Sequence, residues 1–217
     1  MFEEQHIGEG TLTIDGVTLH HSGFNEDWLR DINPEIIVDV GAYDFGDSIR
    51  LKQRYHAARV FAFELNKDNF DKFSPFAIKK NVDCYNVAIS DKDGLTDCFL
   101  SKHFEGVNAQ SSIYEPTDVY KNNYPYVSHS KSSCHAMRLD SFEFKKIDFL
   151  HIDVEGAENA VLKGLGNIRP TLIYLEYLLG DGWHGQSFDE VNTWFSSNGY
   201  TCVKDLTYDK LFYKIPV

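Results

Sequence analysis

The sequence predicts a single α/β domain built on a mostly parallel sheet, for three reasons. Short apolar runs alternate with amphipathic stretches from Glu35 to Val87, the first run ends in a glycine-containing turn, and two strand-like runs close the chain near enough to pair antiparallel. The length of 217 residues suits one large domain, and no Pro/Ser linker, repeat or low-complexity tract divides it. We expect an N-terminal extension of hairpin and helix at 1–34 and the main domain at 35–217.

Residues 11–20, Thr-Leu-Thr-Ile-Asp-Gly-Val-Thr-Leu-His, form two alternating apolar runs around Asp15-Gly16, a strong hairpin signal. Ile36-Ile37-Val38-Asp39-Val40 then predicts a buried strand, the stretch Gly41 to Gly46 a turn, and 47–56 a helix. A strand at Arg59 to Phe63, a helix over 67–79 and a strand from Val82 to Val87 complete a βαβαβ unit, which implies parallel strands covered on both faces. Between Leu95 and Leu139 the alternation lapses. The stretch Glu105 to Ser133, rich in Ser, Asn, Tyr and Pro, reads as a long irregular insertion of the lid or binding-loop kind. Alternation resumes with a strand at Ile147 to Ile152, a helix from near Ala157, a strand at Leu172 to Leu175 and a helix near 188–198. Strands at 200–206 and 210–215 follow, close enough to pair through Thr207-Tyr208-Asp209.

Composition removes several function classes. The formal charge of −12, from 21 Lys+Arg against 33 Asp+Glu, argues against non-specific nucleic-acid binding, which needs clustered cations. No window approaches the roughly 18 apolar residues of a membrane span, and Met1-Phe2-Glu3-Glu4-Gln5-His6 lacks the basic start of a secretory signal, so a cytoplasmic protein without membrane contact is expected. Cys84, Cys98, Cys134 and Cys202 form no Cys-x-x-Cys pair and read as reduced thiols. Nine histidines and the acidic excess leave a carboxylate–imidazole metal site open.

The turn after the first parallel strand carries the first functional signal. Asp39-Val40-Gly41 feeding a helix sets backbone N–H groups at the carboxyl edge of the sheet, and Glu64, ending the next strand, is placed to accept the two hydroxyls of a ribose. Together they point to a nucleoside-containing cofactor. The turn reads Gly41-Ala42-Tyr43-Asp44-Phe45-Gly46, with Tyr43 where a dinucleotide fingerprint needs its second glycine, which disfavours NAD or FAD. Carboxylates at Asp39 and Asp44 suit a cationic amine or sulfonium, hence S-adenosylmethionine (SAM).

Taken with these, Val38-Asp39-Val40-Gly41-Ala42, Ala62-Phe63-Glu64-Leu65-Asn66, Asn86-Val87-Ala88-Ile89-Ser90-Asp91, Leu139-Asp140-Ser141 and His151-Ile152-Asp153-Val154-Glu155-Gly156-Ala157-Glu158 resemble the FkbM family of SAM-dependent methyltransferases, over roughly Ile36 to Glu176. The resemblance implies a Rossmann-like class I methyltransferase fold, a seven-stranded sheet whose terminal hairpin inserts one antiparallel strand, and O-methylation of hydroxyls, often on sugars or natural products. It assigns Gly41 and its neighbours Asp39, Ala42 and Tyr43 to the methionine end of SAM, Glu64 to the ribose, and Asn86, Val87 and Ala88 to the adenine, with Leu65 and Asn66 as further cofactor contacts. The chain departs from the family pattern at Tyr43 and Phe45, where Asn and Gly are usual, and at His151, where Lys is usual.

Asp153, Glu155, Glu158 and Glu176 are expected at one sheet edge, where they repel one another unless a proton, a metal or a cationic ligand neutralises them. Asp153 is the expected general base or metal ligand, supported by Glu155 and Glu176, while Glu158 also suits capping of a helix N-terminus. A divalent cation such as Mg²⁺ on Asp153 and Glu155 is the corresponding metal reading. His135, His151 and His184 lie nearest these strands. Of these, His184 stands out, in the glycine-flanked stretch Gly180-Asp181-Gly182-Trp183-His184-Gly185 beside the expected acceptor. Ser111, Ser112, His135 and Trp183 are the expected acceptor contacts, for a small-molecule or saccharide substrate. The alternative reading is a non-catalytic nucleoside-binding or scaffold domain of the same fold, suggested by Tyr43 and Phe45.

Overall fold

The hairpin forms where its turn residues dictate. In the computed structural model, which describes residues 10–103, 108–176, 182–206 and 208–216, β1 (Gly10–Ile14) and β2 (Val17–His21) pair antiparallel. Asp15 and Gly16 turn the chain at φ 51° and 80°, in the left-handed region that these two residue types tolerate. A 3-10 turn, Glu26–Leu29, follows, with the Asn25 side chain accepting from the Asp27 N–H. Leu19, Phe24, Trp28 and Leu29 are buried in one cluster with Ile37, Ile49 and Tyr174, so the hairpin segment is cemented to the sheet.

The main sheet begins with β3 (Ile36–Val40), α1 (Gly46–Arg54), β4 (Arg59–Phe63), α2 (Lys67–Lys79) and β5 (Val82–Tyr85), all parallel-paired as strand–helix–strand alternation requires. Next come β6 (Ala88–Ile89), β7 (Gly94–His103), α3 (Asp118–Asn123) and β8 (Val127–Met137), which leave the main sheet. The chain returns to it with β9 (Phe149–Ile152), α4 (Glu158–Gly164), β10 (Leu172–Glu176), α5 (Phe188–Ser197), β11 (Tyr200–Leu206) and β12 (Asp209–Lys214). The seven strands run in the order β11-β12-β10-β9-β3-β4-β5, with β12 inserted antiparallel beside β10. This is the mostly parallel sheet with an antiparallel terminal hairpin that the sequence predicts.

Strand alternation sorts the core onto two faces. Ile37, Val60, Phe149 and Tyr174 meet α1, α2 and the hairpin segment, whereas Val38, Val40, Leu150 and Ile173 meet α4 and α5. On the first face Asp39 and His151 are register partners, which sets their side chains side by side.

Among the described residues, much of the stretch expected to be irregular is instead regular structure, while 108–117 is mostly outside helix and strand. β7 and β8 pair antiparallel over ten residues, from Gly94↔Ala136 to His103↔Val127, and β6 adds a parallel edge. Residues 104–107, also part of that expected insertion, lie outside the described residues. The third strand of the parallel unit stops at Tyr85 rather than Val87, because Ala88 and Ile89 pair with β8.

Candidate active site

The carboxyl edge of the central strands opens into a cleft with two chemically distinct ends that share Gly41, Ala109 and Asp153. One end is a slot walled mainly by Val40, Phe63, Leu65, Val87, Ala88 and Ile113, with Glu64 as its polar group beside Asp153. The other is a basin lined by Asp39, Asp44, Asp47, Asp153, Glu155, Glu176 and Asp209, together with His20, His21 and His151.

Gly41 forms the seam. Its φ is 89°, its N–H donates to the Phe63 carbonyl at 2.9 Å, and a Cβ there would fall 1.6 Å from the Asp153 carbonyl oxygen. Only glycine fits this approach of the β3 end to the β9 end. The neighbouring Ala42 lines the basin, and its N–H also donates to Phe63. Tyr43 and Phe45 keep the positive φ expected of glycines, at 45° and 66°, so the turn persists without them at a cost of about 1–2 kcal/mol each. Phe45 offsets that cost by complete burial, edge-on to Phe70.

Glu64 is buried, and both carboxylate oxygens accept backbone N–H groups: Tyr43 to Oε2 at 2.9 Å and Asn66 to Oε1 at 2.7 Å. Burial raises its pKa to about 8 in spite of these bonds. The Asn69 side chain is a third hydrogen-bond donor to it. Leu65, Val87 and Ala88 line the same slot. Asn66 caps α2 through the Asp68 N–H and reaches Ser111 Oγ at 3.3 Å, whereas Asn86 is exposed and donates to the Glu64 and Leu65 carbonyls at 2.8 and 3.2 Å. Asn86 therefore positions the loop that carries Glu64 and does not line the slot itself.

In the basin, Asp39 is held by Ser48 Oγ and by His151 Nδ1 at 2.8 Å. Burial works against the charged imidazolium, but the Asp39 hydrogen bond and charge outweigh it and raise His151 to about 9. Asp44 is likewise occupied, accepting from the His20 and Gly46 backbone N–H groups and bonding His20 Nδ1 at 2.7 Å. Asp153, Glu155 and Glu176 are held differently. Parallel pairing of Ile152 with Leu175 puts Asp153 and Glu176 level on adjacent strands, and Glu155 turns in from a left-handed residue with φ 54°. One carboxylate oxygen from each lies within 4.8 Å of the other two. Burial lifts Asp153 to about 6, with the charge of His151 and a hydrogen bond to Glu176 opposing the shift. Burial followed by the charge of Asp153 pushes Glu155 and Glu176 well above the carboxylate range. Glu158, raised by burial to about 7, opens α4 and accepts the Gly156 N–H at 2.9 Å, a bond to the turn before the helix.

The acceptor-side expectations fare unevenly. Ser111 lines the slot, but its Oγ accepts from Ser101 N at 3.0 Å, and Ser112 Oγ donates to the Val154 carbonyl. Both hydroxyls are engaged in holding the β7 region to the main sheet. His135 is exposed on β8 beside Tyr85, Met137 and Phe142, away from the carboxylates. His184 is exposed and lines neither end of the cleft. Its backbone N–H donates to Glu115, which orients the side chain by loop geometry that no sequence pattern encodes. Trp183 is buried beneath the turn, where a Cβ on Gly156 would meet its ring at 2.7 Å. Residues 177–181 of that loop lie outside the described residues. Sequence reasoning missed His20, His21, Ser22, Asp47 and Asp209 in the basin. Asp209 alone had a readable signal, being opposite Glu176 across the terminal strand pair.

A doubly covered sheet with an inserted antiparallel strand and a glycine seam at the carboxyl edge defines a protein of the class I methyltransferase type. The chain belongs to the FkbM methyltransferase family: the model described as Methyltransferase FkbM domain matches residues 39–202. Among solved structures it is similar to methyltransferase FkbM from Methylobacillus flagellatus KT, at 14% identity and a TM-score of 0.50, over 83% of this chain and 44% of that one. It is also similar to the StiE O-MT, at 11% identity and 0.46, over 82% of this chain and 52% of that one. A SAM-dependent methyltransferase from Aquifex aeolicus aligns at 13% identity and 0.44, over 88% of each chain. The chain thus spans about half the length of the first two. No curated protein matches it. No helix among the described residues is long and apolar enough to cross a membrane.

Proposed function

We propose that this protein is a SAM-dependent O-methyltransferase acting on a hydroxyl of a saccharide or another small polar molecule. The observation that carries the reading is the continuity of the apolar slot, with Glu64 at its ribose-binding position, into the carboxylate basin across Gly41 and Asp153. When bound, SAM supplies an electrophilic methyl group on a sulfonium.

The residues fit that group. Val87, Ala88 and Leu65 offer apolar faces for a base, Glu64 is the polar acceptor in the slot for a ribose hydroxyl, and the acidic basin favours a cationic centre at its mouth. The basin is rich in acceptors, as a polyol requires, and the buried Ser22 hydroxyl on its wall has no partner. In-line displacement asks the protein to align the acceptor oxygen and take its proton as the methyl group leaves sulfur. Burial and the charge of Asp153 push Glu155 and Glu176 well above the carboxylate range, whereas Asp153 rises only to about 6, so Asp153 is the most readily ionised of the three and the carboxylate best placed to receive that proton.

Transfer of a radiolabelled methyl group from SAM to a panel of saccharides and hydroxylated small molecules tests the reading. Label in an ether product supports it. Label recovered only in amines or thiols overturns the O-methyl assignment, and no transfer to any acceptor favours the non-catalytic nucleoside-binding alternative.

A further inference from the structure

The Asp153, Glu155 and Glu176 cluster has negative charge and few partners. Among the described residues no Lys or Arg lines the basin, and the buried cation at its floor, His151, is already bonded to Asp39. Glu176 Oε2 is shut off from solvent with no hydrogen-bond partner. The Tyr120 hydroxyl, 4% exposed and facing the charges of Glu155 and Glu176, also has no hydrogen-bond partner, while the Trp183 indole N–H, 2% exposed, is the donor that favours the charged form of Glu155. The Tyr120 and Trp183 rings pack tilted at 4.7 Å between centroids, so the two side chains belong to one wall. A buried carboxylate oxygen without a donor, near a buried hydroxyl without a partner, marks a site whose polar groups are completed by something outside the chain.

The spacing identifies that partner. Carboxylate oxygens bound at about 2.1–2.5 Å to one ion cannot stand more than about 5 Å apart, and the three oxygens here lie within 4.8 Å. An all-oxygen set selects a hard cation over zinc or copper. Ligating carboxylates are themselves steadied by outer donors, a role open to the Trp183 indole N–H beside Glu155 and the Tyr120 hydroxyl.

We propose that Asp153, Glu155 and Glu176 hold a divalent hard cation, of the Mg²⁺ or Mn²⁺ kind, between the methyl-donor end of the cleft and the acceptor. The inference rests on the methyltransferase reading for its role, since such an ion orients the acceptor oxygen and acidifies its hydroxyl. Its existence is testable without that reading.

Mn²⁺ titration followed by the electron paramagnetic resonance of the free ion reads the site directly. One saturable Mn²⁺ per chain is expected, displaced by excess Mg²⁺ and weakened at least tenfold in Glu176→Gln and Glu155→Gln. Asp83→Asn, an exposed carboxylate paired with Arg59 at the amino end of β4, opposite the carboxyl edge, should bind as the parent does. Absence of saturable binding, or affinity unchanged in both Gln variants, overturns the proposal. Should one Gln variant fail to fold by circular dichroism, the other and the Mg²⁺ competition in the parent decide the same point. S-adenosylhomocysteine titrated in parallel separates the two readings. Nucleoside binding without Mn²⁺ binding leaves the methyltransferase reading standing and the cation site refuted. Mn²⁺ binding without nucleoside binding does the reverse.

Discussion

The two ends of the cleft handle buried carboxylates in opposite ways. In the slot, Glu64 stands among apolar walls, yet its two oxygens are secured by the Tyr43 and Asn66 backbone N–H groups. In the basin, Asp153, Glu155 and Glu176 crowd within 4.8 Å and Glu176 Oε2 has no donor. A carboxylate already fixed by the main chain is a rigid acceptor ready for hydroxyls. A crowded set without donors is a charge trap that holds protons until a cation or a reacting hydroxyl changes the balance. In the proposed function the same residue type serves recognition at one end and chemistry at the other.

Substitutions that touch one end only are the strongest way to break this comparison. Asp153→Asn keeps the shape and removes the proton acceptor, so turnover should fall by about 10³-fold or more while affinity for S-adenosylhomocysteine stays within about threefold. Equal losses in both would show that Asp153 serves the slot as well. Gly41→Ala strikes the seam, where the added Cβ meets the Asp153 carbonyl oxygen. We expect it to cost about 3 kcal/mol or more, read as a Tm lower by roughly 6–12 °C, with both functions impaired. Glu64→Ala should act at the slot alone, weakening S-adenosylhomocysteine binding by about 1–3 kcal/mol in calorimetry.

A gentler probe is pH. Glu64, Glu158 and Asp153 have folded pKa values raised to about 8, 7 and 6, so each contribution is complete below the ordinary carboxylate range and is lost as pH rises through those values. His151, raised to about 9, loses its contribution as pH climbs through that value. All four act in one direction. Tm should decline steadily from about pH 5.5 to 9, each ionising group contributing up to about 1.4 kcal/mol per unit. A Tm that rises over this range would show that the carboxylates are neutralised otherwise.

Legibility in the sequence divides along physical lines. The βαβ alternation exposed the main sheet because buried parallel strands must be apolar throughout. Asp39, Glu64, Asp153 and Glu176 were legible for the same reason, as polar residues within or ending such runs. β8 was not: Ser128, Ser130, Lys131, Ser132 and Ser133 are polar on both faces and the strand is secured by main-chain pairing with β7, which leaves no period-two apolar pattern. His20 entered the basin through packing of the hairpin against the N-terminus of α1, where its carbonyl abuts Gly46, a contact between segments far apart in sequence. His184 and Trp183 failed as expected contacts because loop residues carry no periodicity that fixes side-chain direction.

The most direct test of the central claim, that the slot with Glu64 receives the nucleoside of SAM, is calorimetric titration of S-adenosylhomocysteine into the parent protein. The account predicts one saturable site per chain. No detectable binding at millimolar ligand would contradict it.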